Sequence, residues 1–276
     1  KKTSDPAGKS AITLFYENST RTRMSFEMAA KYMSASAANM SASASSVQKG
    51  ESLIDTGRTL DRMGTDVIVI RHPMTAAPRM LAGHVKASVI NAGDGINEHP
   101  TQALLDMFTM QEYFGGFKGL HVTIVGDIYH SRVARSNLFG LTQLGTEVTL
   151  CGPSTLMPKD IEKLGAKVVH DEKQAVQQAD VVMALRIQKE RQKGGLFPSV
   201  SEYNSRFGVS HELLSYAKKG ALVMHPGPIN RGIEINSSVA DSDVSKIDEQ
   251  VTSGISVRMA LLKILTEGGI RHEYAD

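Results

Sequence analysis

Two arginines and three hydroxyls fill five consecutive positions, Ser19, Thr20, Arg21, Thr22 and Arg23, just after the apolar run at residues 11–16. Guanidinium and hydroxyl groups donate hydrogen bonds and favour anions, and arginine grips phosphate or carboxylate with two parallel bonds. A helix starting here leaves its first amide hydrogens unpaired and carries partial positive charge at that end, so the hydroxyls add donors to a field already aimed at an anion. The stretch reads as a phosphate cradle. A plainer reading stays open: Ser19 or Thr20 caps the helix, and the arginines are solvated.

The same chemistry recurs down the chain. After "DVIVI" come Arg71 and His72, and after "SVIN" the chain reaches His99, Pro100, Thr101 and Gln102. After "HVTIVGD" come Ser131 and Arg132, after "DVVMAL" Arg186, Ile187 and Gln188, and after "ALVM" His225, Pro226, Gly227 and Pro228. Six apolar runs thus end in donors, four of them with arginine. In doubly wound parallel sheets ligands bind beyond the carboxyl ends of the strands, so these donors point to anionic ligands. Arg132 and Arg186 form a second cationic set, which a protein that only binds phosphate has no need of.

The elements that must position these groups are short. Runs at residues 11–16, 66–70, 87–91, 121–125, 147–151, 166–169, 180–185 and 221–224 are mostly continuously apolar, the pattern of strands buried on both faces. Helical spacing separates many of them: Met24, Met28 and Tyr32 lie at i, i+4 and i+8, and Leu104 and Phe108 share a face of a long helix predicted over residues 101–114. This alternation predicts an α/β protein with two doubly wound parallel-sheet domains joined by helical connections. "GGFKG" at residues 115–119 has the glycine density of a helix stop and a hinge, so the boundary is placed there. Residues 1–114 form the first domain and 115–250 the second, with a C-terminal helix at 251–266 packing back on the first. "SASAANMSASASS", residues 34–46, reads as a mobile loop in preference to a helix or strand of small residues.

At 276 residues the chain is long for one core. Lys plus Arg number 31 against 29 Asp plus Glu, too balanced for a nucleic-acid surface, and any anion site must be local. The apolar runs stop far short of the ~20 residues that span a bilayer, so no membrane partner is expected. "KKTSDPAGKS" lacks the apolar centre of a secretory signal, and the single Cys151 cannot form an intrachain disulfide, so a reducing, cytoplasmic setting is expected. No HExxH or CxxC spacing marks a metal site, and no GxGxxG or GxxxxGK[ST] a nucleotide, so neither metal nor cofactor is expected.

"STRTR", "HPTQALLD", "RIQKER" and "HPGPINRG", in this order, resemble the motifs of the carbamoyltransferase family, and the likeness runs over nearly the whole chain. The resemblance implies a first domain that binds carbamoyl phosphate and a second that binds an amino acceptor. "RIQKER" is similar to the aspartate-binding motif, whereas ornithine-using members usually carry Cys in both the HPxQ motif and the late loop, which here read "HPTQ" and "HPGP". Arg132 and Arg186 also suit the two carboxylates of aspartate, while the side-chain amine of ornithine would require an acidic site. The implied reaction is carbamoyl transfer to aspartate, a step of pyrimidine biosynthesis. The alternatives are another acceptor, such as ornithine, or a non-catalytic phosphate-binding protein.

Residue by residue, the resemblance implies that Ser19, Thr20, Arg21, Thr22 and Arg71 hold the phosphate and carbamoyl oxygens, with His99 and Gln102 at the carbamoyl group and Arg23 structural. Thr22, Arg71 and His99 would stabilise the negative oxygen of the intermediate. Arg132 would meet the α-carboxylate of aspartate, Arg186 with Gln188 its β-carboxylate, and Gly227 and Pro228 belong to the late loop. "SSVQKGE" matches a loop by which a neighbouring subunit supplies a Ser and a Lys to the site, giving Lys49, which also serves aspartate, and Ser45 by spacing, with adjacent Ser46 left open. A homotrimer with shared sites follows, and closure about residues 115–119 would bring Arg132 and Arg186 toward Arg21 and Arg71. Family members carry a further helix before the first strand, so a truncated start is expected here. "HPMTAAPRM" after Arg71 differs from the version that contacts zinc-bearing regulatory chains in some relatives, and no such partner is predicted.

Overall fold

A computed structural model of the chain describes residues 7–41, 50–187 and 199–267. The chain divides into two compact units, Lys1–Thr101 with Gly254–Asp276, and Gln102–Ser253. Ser45, Ser46, Lys49 and Gln188 lie outside the described residues.

The first unit is built on four parallel strands, β1 (Ser10–Phe15), β2 (Ser36–Ser41), β3 (Val67–His72) and β4 (Ser88–Asp94), in the order β2-β1-β3-β4. Alternate strand residues face opposite sides. Phe15, Val67, Val69 and Ile90 pack on α1 (Thr20–Tyr32) through Phe26, Ala29 and Ala30, and on Leu262 of the last helix. Leu14, Ile68 and Ile70 pack on the other side with Leu60 of α2 (Leu53–Arg62) and Leu81 of α3 (Ala77–Ala82). Both faces of the sheet are therefore covered, which explains the unbroken apolar runs.

The second unit holds β5 (His121–Val125), β6 (Glu147–Cys151), β7 (Ala166–Val168), β8 (Val181–Ala184) and β9 (Leu222–Met224), all parallel, in the order β7-β6-β5-β8-β9. Val122, Ile124, Val148, Leu150 and Met183 pack on one face with Met110 of α4 (Pro100–Phe114) and Leu138 and Leu141 of α5 (Arg132–Gln143). Val125, Val182 and Val223 face the other side, toward Val176 of α6 (Glu172–Val176), Leu213 of α8 (His211–Leu214) and Val239 of α9 (Ser237–Ala240). The set is completed by α7 (Val200–Phe207) and α10 (Ile247–Thr266). Both α4 and α10 contribute residues to each unit. No helix among the described residues is long and apolar enough to cross a membrane.

One local expectation is corrected, and two helices show which of their faces packs. Residues 36–41 of the expected loop form β2, paired in register with β1 from Ser10↔Ser36 to Phe15↔Ser41. The buried side of α1 carries Thr22, Phe26, Ala29 and Ala30, and Met24 is exposed. In α4 the buried residues include Ala103, Leu105, Asp106 and Met110, whereas Leu104 and Phe108 are both exposed. Spacing found the helices, but small residues rather than the largest apolar ones often mark the packed face.

Candidate active site

In each sheet the chain order reverses at one point, between β1 and β3 in the first unit and between β5 and β8 in the second. Crevices form at such switch points, beyond the carboxyl ends of the strands. Those of the residues singled out in the sequence that are described follow three adjacent strands in each sheet: β1, β3 and β4 in the first, β5, β8 and β9 in the second.

In the first unit, four residues separate β1 from α1, the last of them Ser19 at the N-cap. The Ser19 hydroxyl makes no capping hydrogen bond, and the first turn contains no acidic residue, so neither the helix's own cap nor a first-turn carboxylate competes with an anion for its amides. Thr20 and Arg21 are exposed and Thr22 is buried. Arg71 lies beside this turn because Phe15 and Arg71 are register partners, and the Tyr16 N–H donates to the Arg71 carbonyl at 2.8 Å. Its guanidinium is oriented by Glu17, with Nε 3.3 Å from Oε2, and by Nη1 donating to the Ala92 carbonyl at 3.4 Å.

Next to Arg71, the buried His72 packs its ring 4.6 Å from that of Tyr16 and accepts the Met74 N–H on Nδ1 at 3.0 Å. Burial pushes this imidazole below the ordinary histidine range, only partly offset by Glu17. The folded protein therefore prefers neutral His72, so the stability it contributes is present above the unfolded value of about 6.5 and fades as the pH falls below it. His72→Gln should flatten the loss of stability between about pH 7 and pH 5, measured by urea titration; an unchanged slope would contradict this role.

Sequence reasoning missed the residue that sets the loop before His99. The Asp94 carboxylate is 1% exposed and accepts the N–H groups of Ala76 at 2.7 Å and Glu98 at 3.1 Å, with the side-chain amides of Asn91 at 2.8 Å and Asn97 at 3.0 Å. It ties the turn after β3 to the turn before α4, and His99 emerges from it buried. The turn sequence "NAGDG" was the available signal.

In the second unit, Gly126 follows β5 with φ 139°, and a Cβ there would press on Leu185 Cβ at 3.0 Å. This close approach puts the loop after β5 beside Leu185 and Arg186, which follow β8. The wholly buried Asp127 carboxylate holds that loop, meeting His130 Nδ1 at 3.0 Å and the His130 N–H at 3.1 Å. Ser131 then caps α5 by accepting the Ala134 N–H at 3.1 Å, and Arg132 opens the helix. Arg132 is only 4% exposed, and a buried cation at the positive end of a helix dipole favours anionic company. Arg186 is half-buried.

Beyond β9 the late loop hangs on His225. Its Nδ1 accepts the Gly227 N–H at 2.8 Å, so its proton sits on Nε2 and is donated to Glu234 Oε1 at 3.1 Å. Glu234 also accepts the Asn230 N–H at 2.6 Å, closing the loop that carries Gly227 and Pro228. Gly227 has φ 64°, a conformation that suits glycine, and its bond to Pro228 is cis. Gln102, in the second unit, donates to Asp106 at 2.9 Å. Among the described residues no group of three or more His, Cys, Asp or Glu side chains is placed to hold a metal ion.

Each half of the chain finds counterparts among known proteins. The family domain described as "Aspartate/ornithine carbamoyltransferase, carbamoyl-P binding domain" matches residues 1–112, and "Aspartate/ornithine carbamoyltransferase, Asp/Orn binding domain" matches residues 118–265. The chain is 64% identical over 276 residues to the aspartate carbamoyltransferase catalytic subunit of Ruminiclostridium cellulolyticum, covering 100% of this chain and 88% of that one. Ornithine carbamoyltransferase from Pyrococcus furiosus is similar with a TM-score of 0.84 and 30% identity, covering 96% of this chain and 86% of that one. Aspartate transcarbamoylase from Trypanosoma cruzi, solved with carbamoyl aspartate and phosphate, is similar with a TM-score of 0.83 and 32% identity, covering 94% of this chain and 83% of that one. Matched in both halves, in sequence and in fold, the chain belongs to the aspartate/ornithine carbamoyltransferase family.

Proposed function

We propose that the protein transfers the carbamoyl group of carbamoyl phosphate to the α-amine of L-aspartate, giving N-carbamoyl-L-aspartate and phosphate for pyrimidine synthesis. The observation that carries this reading is the pair of separate cationic sets, Ser19 to Thr22 with Arg71 at one switch point and Arg132 with Arg186 at the other. One suits a phosphate and the other a dicarboxylate. "HPTQ" and "HPGP", both without cysteine, favour aspartate over ornithine, and the Ruminiclostridium relative is named for aspartate.

Carbamoyl phosphate binds with its phosphate on the amides and hydroxyls of Ser19, Thr20 and Thr22 and on the Arg21 guanidinium, while His99 and Gln102 meet the carbamoyl group. Aspartate binds with its α-carboxylate on Arg132 and its β-carboxylate on Arg186 and Gln188, and the late loop at Gly227 and Pro228 closes one side. The neutral amine attacks the carbamoyl carbon and a C–N bond forms. Thr22, Arg71 and His99 donate to the resulting oxyanion, then the C–O bond to phosphate breaks and the departing phosphate takes the amine proton. Holding both reactants in attack geometry can remove ~7–11 kcal/mol of barrier. Incubating the protein with carbamoyl phosphate and, separately, aspartate, ornithine, putrescine or N-acetylornithine should give ureido product with aspartate alone. Product from ornithine instead would overturn the acceptor, and none from any of the four would leave a phosphate-binding protein.

The working unit is a homotrimer in which Lys49 and Ser45 of one chain complete the site of its neighbour. Lys49→Ala and Arg21→Ala chains, each inactive alone, should regain activity when mixed, because in a mixed ring roughly one site in three keeps both groups. Verified mixed trimers with no recovery would argue against sharing. A cytoplasmic setting suits the one thiol, Cys151, which burial pushes up to about 12.

A further inference from the structure

A glutamine presents a donating NH₂ on one side and an accepting oxygen on the other, so what Gln102 selects depends on which way its amide is turned. Its neighbours fix that orientation. Gln102 Nε2 lies 2.9 Å from Asp106 Oδ1, Gln250 Nε2 lies 2.7 Å from the same oxygen, and Asn137 Nδ2 lies 2.8 Å from Asp106 Oδ2. A carboxylate offers only lone pairs, so all three amides turn their NH₂ groups inward. Two of them are held a second time: Gln250 Oε1 accepts the His225 N–H at 2.9 Å, and Asn137 Nδ2 also donates to the Val133 carbonyl at 3.1 Å. Asn137 keeps this orientation although its own oxygen has no donor among the described residues. Asp106 is 0% exposed, so reversing any of these bonds would leave a buried polar group unpaired.

We infer that Asp106 is a positioning residue that gives the site its selectivity for a carbamoyl over an acyl group. It holds the Gln102 carbonyl outward, where it accepts an N–H of the ligand. The same carboxylate is connected through Gln250 and the backbone of His225 to the loop carrying Gly227. This inference rests on the carbamoyl-transfer reading above. Acetyl phosphate has nearly the shape of carbamoyl phosphate but a methyl group in place of the NH₂, so bound here it leaves the Gln102 oxygen without a donor. A site built to hydrogen-bond its ligand rejects an analogue lacking that group.

The test is Asp106→Asn, which presents one oxygen and one NH₂ to the three amides, so at least one must turn round. Gln102, lacking a second restraint among the described residues, is the one to turn. The kcat/KM for carbamoyl phosphate should fall roughly 10- to 100-fold, while the inhibition constant of acetyl phosphate changes by no more than about threefold. Asn137→Ala, which removes a bond to the other oxygen, should lower thermal stability and leave the carbamoyl-to-acetyl preference unchanged. An unaltered preference in Asp106→Asn, or an equal fall in Asn137→Ala, overturns the inference. If Asp106→Asn does not fold, the side-chain amide protons of Gln102 in the unmodified protein decide. They should keep their slow exchange when carbamoyl phosphate binds, and a shift showing that they donate to the ligand would contradict the proposal. Unmodified protein that turns over no carbamoyl phosphate with aspartate would overturn both readings; active protein with an unaltered variant preference overturns only this one.

Discussion

Replacing Arg186 by alanine should raise the KM for aspartate by about 10²–10³-fold and leave the Kd of carbamoyl phosphate within about threefold of its original value. Arg186 follows β8 at the switch point of the second unit, half-buried, whereas the groups assigned to phosphate lie at the start of α1 and on β3 of the first. On the proposed reading, losing the guanidinium strands one carboxylate of bound aspartate, and a desolvated charge left unpaired costs about 2–5 kcal/mol. Lysine recovers only part of the loss, since it keeps the charge but not the planar fork. Binding studies with each substrate alone and steady-state kinetics with both separate the two effects. A comparable weakening of carbamoyl phosphate would place Arg186 elsewhere in the reaction.

The second large effect is expected at Arg71. Arg71→Ala should lower kcat by about 10²–10³-fold, the usual consequence of removing one donor from a developing oxyanion, with a much smaller change in the KM for aspartate. Arg71 is pre-oriented by Glu17 and the Ala92 carbonyl, so little reorganisation is needed when charge appears. Glu17→Gln should therefore lower kcat less than Arg71→Ala does, by loosening the guanidinium rather than deleting it. Circular dichroism before kinetics ensures that the variants are folded. A kcat within a few-fold of the original enzyme, in folded Arg71→Ala, would remove Arg71 from the mechanism.

The strands were legible because parallel strands covered on both faces must be apolar at every position, as Val67, Ile68, Val69 and Ile70 are. β2 was not, because Ser36, Ala37 and Ala38 owe their extended form to pairing with β1, and no local preference of Ser or Ala announces an edge strand. The packed faces of α1 and α4 were not legible for a related reason: Ala29, Ala30 and Ala103 are buried because a small side chain lets the helix approach its sheet, while Met24 and Leu104 are exposed.

The donors at the strand ends could be found because Arg and His stand out against an apolar run. What holds them in place could not. Asp94, Asp106, Glu234 and Gln250 are ordinary polar residues in sequence, and their roles come from partners that only the fold supplies: Gln250 meets Asp106 across 144 positions, and Ala76 meets Asp94 across 18. Chemistry that must contact a ligand is written in residue type, whereas the positioning of that chemistry is written in topology.

Carbamoyl phosphate labelled with ¹³C at its carbonyl, mixed with ¹⁵N-aspartate and the protein, tests the central claim most directly. Carbon NMR should show a new ureido signal split by a directly bonded ¹⁵N, rising in step with released phosphate. Phosphate release without that coupled carbon, or no reaction while both substrates bind, would contradict carbamoyl transfer to the α-amine of aspartate.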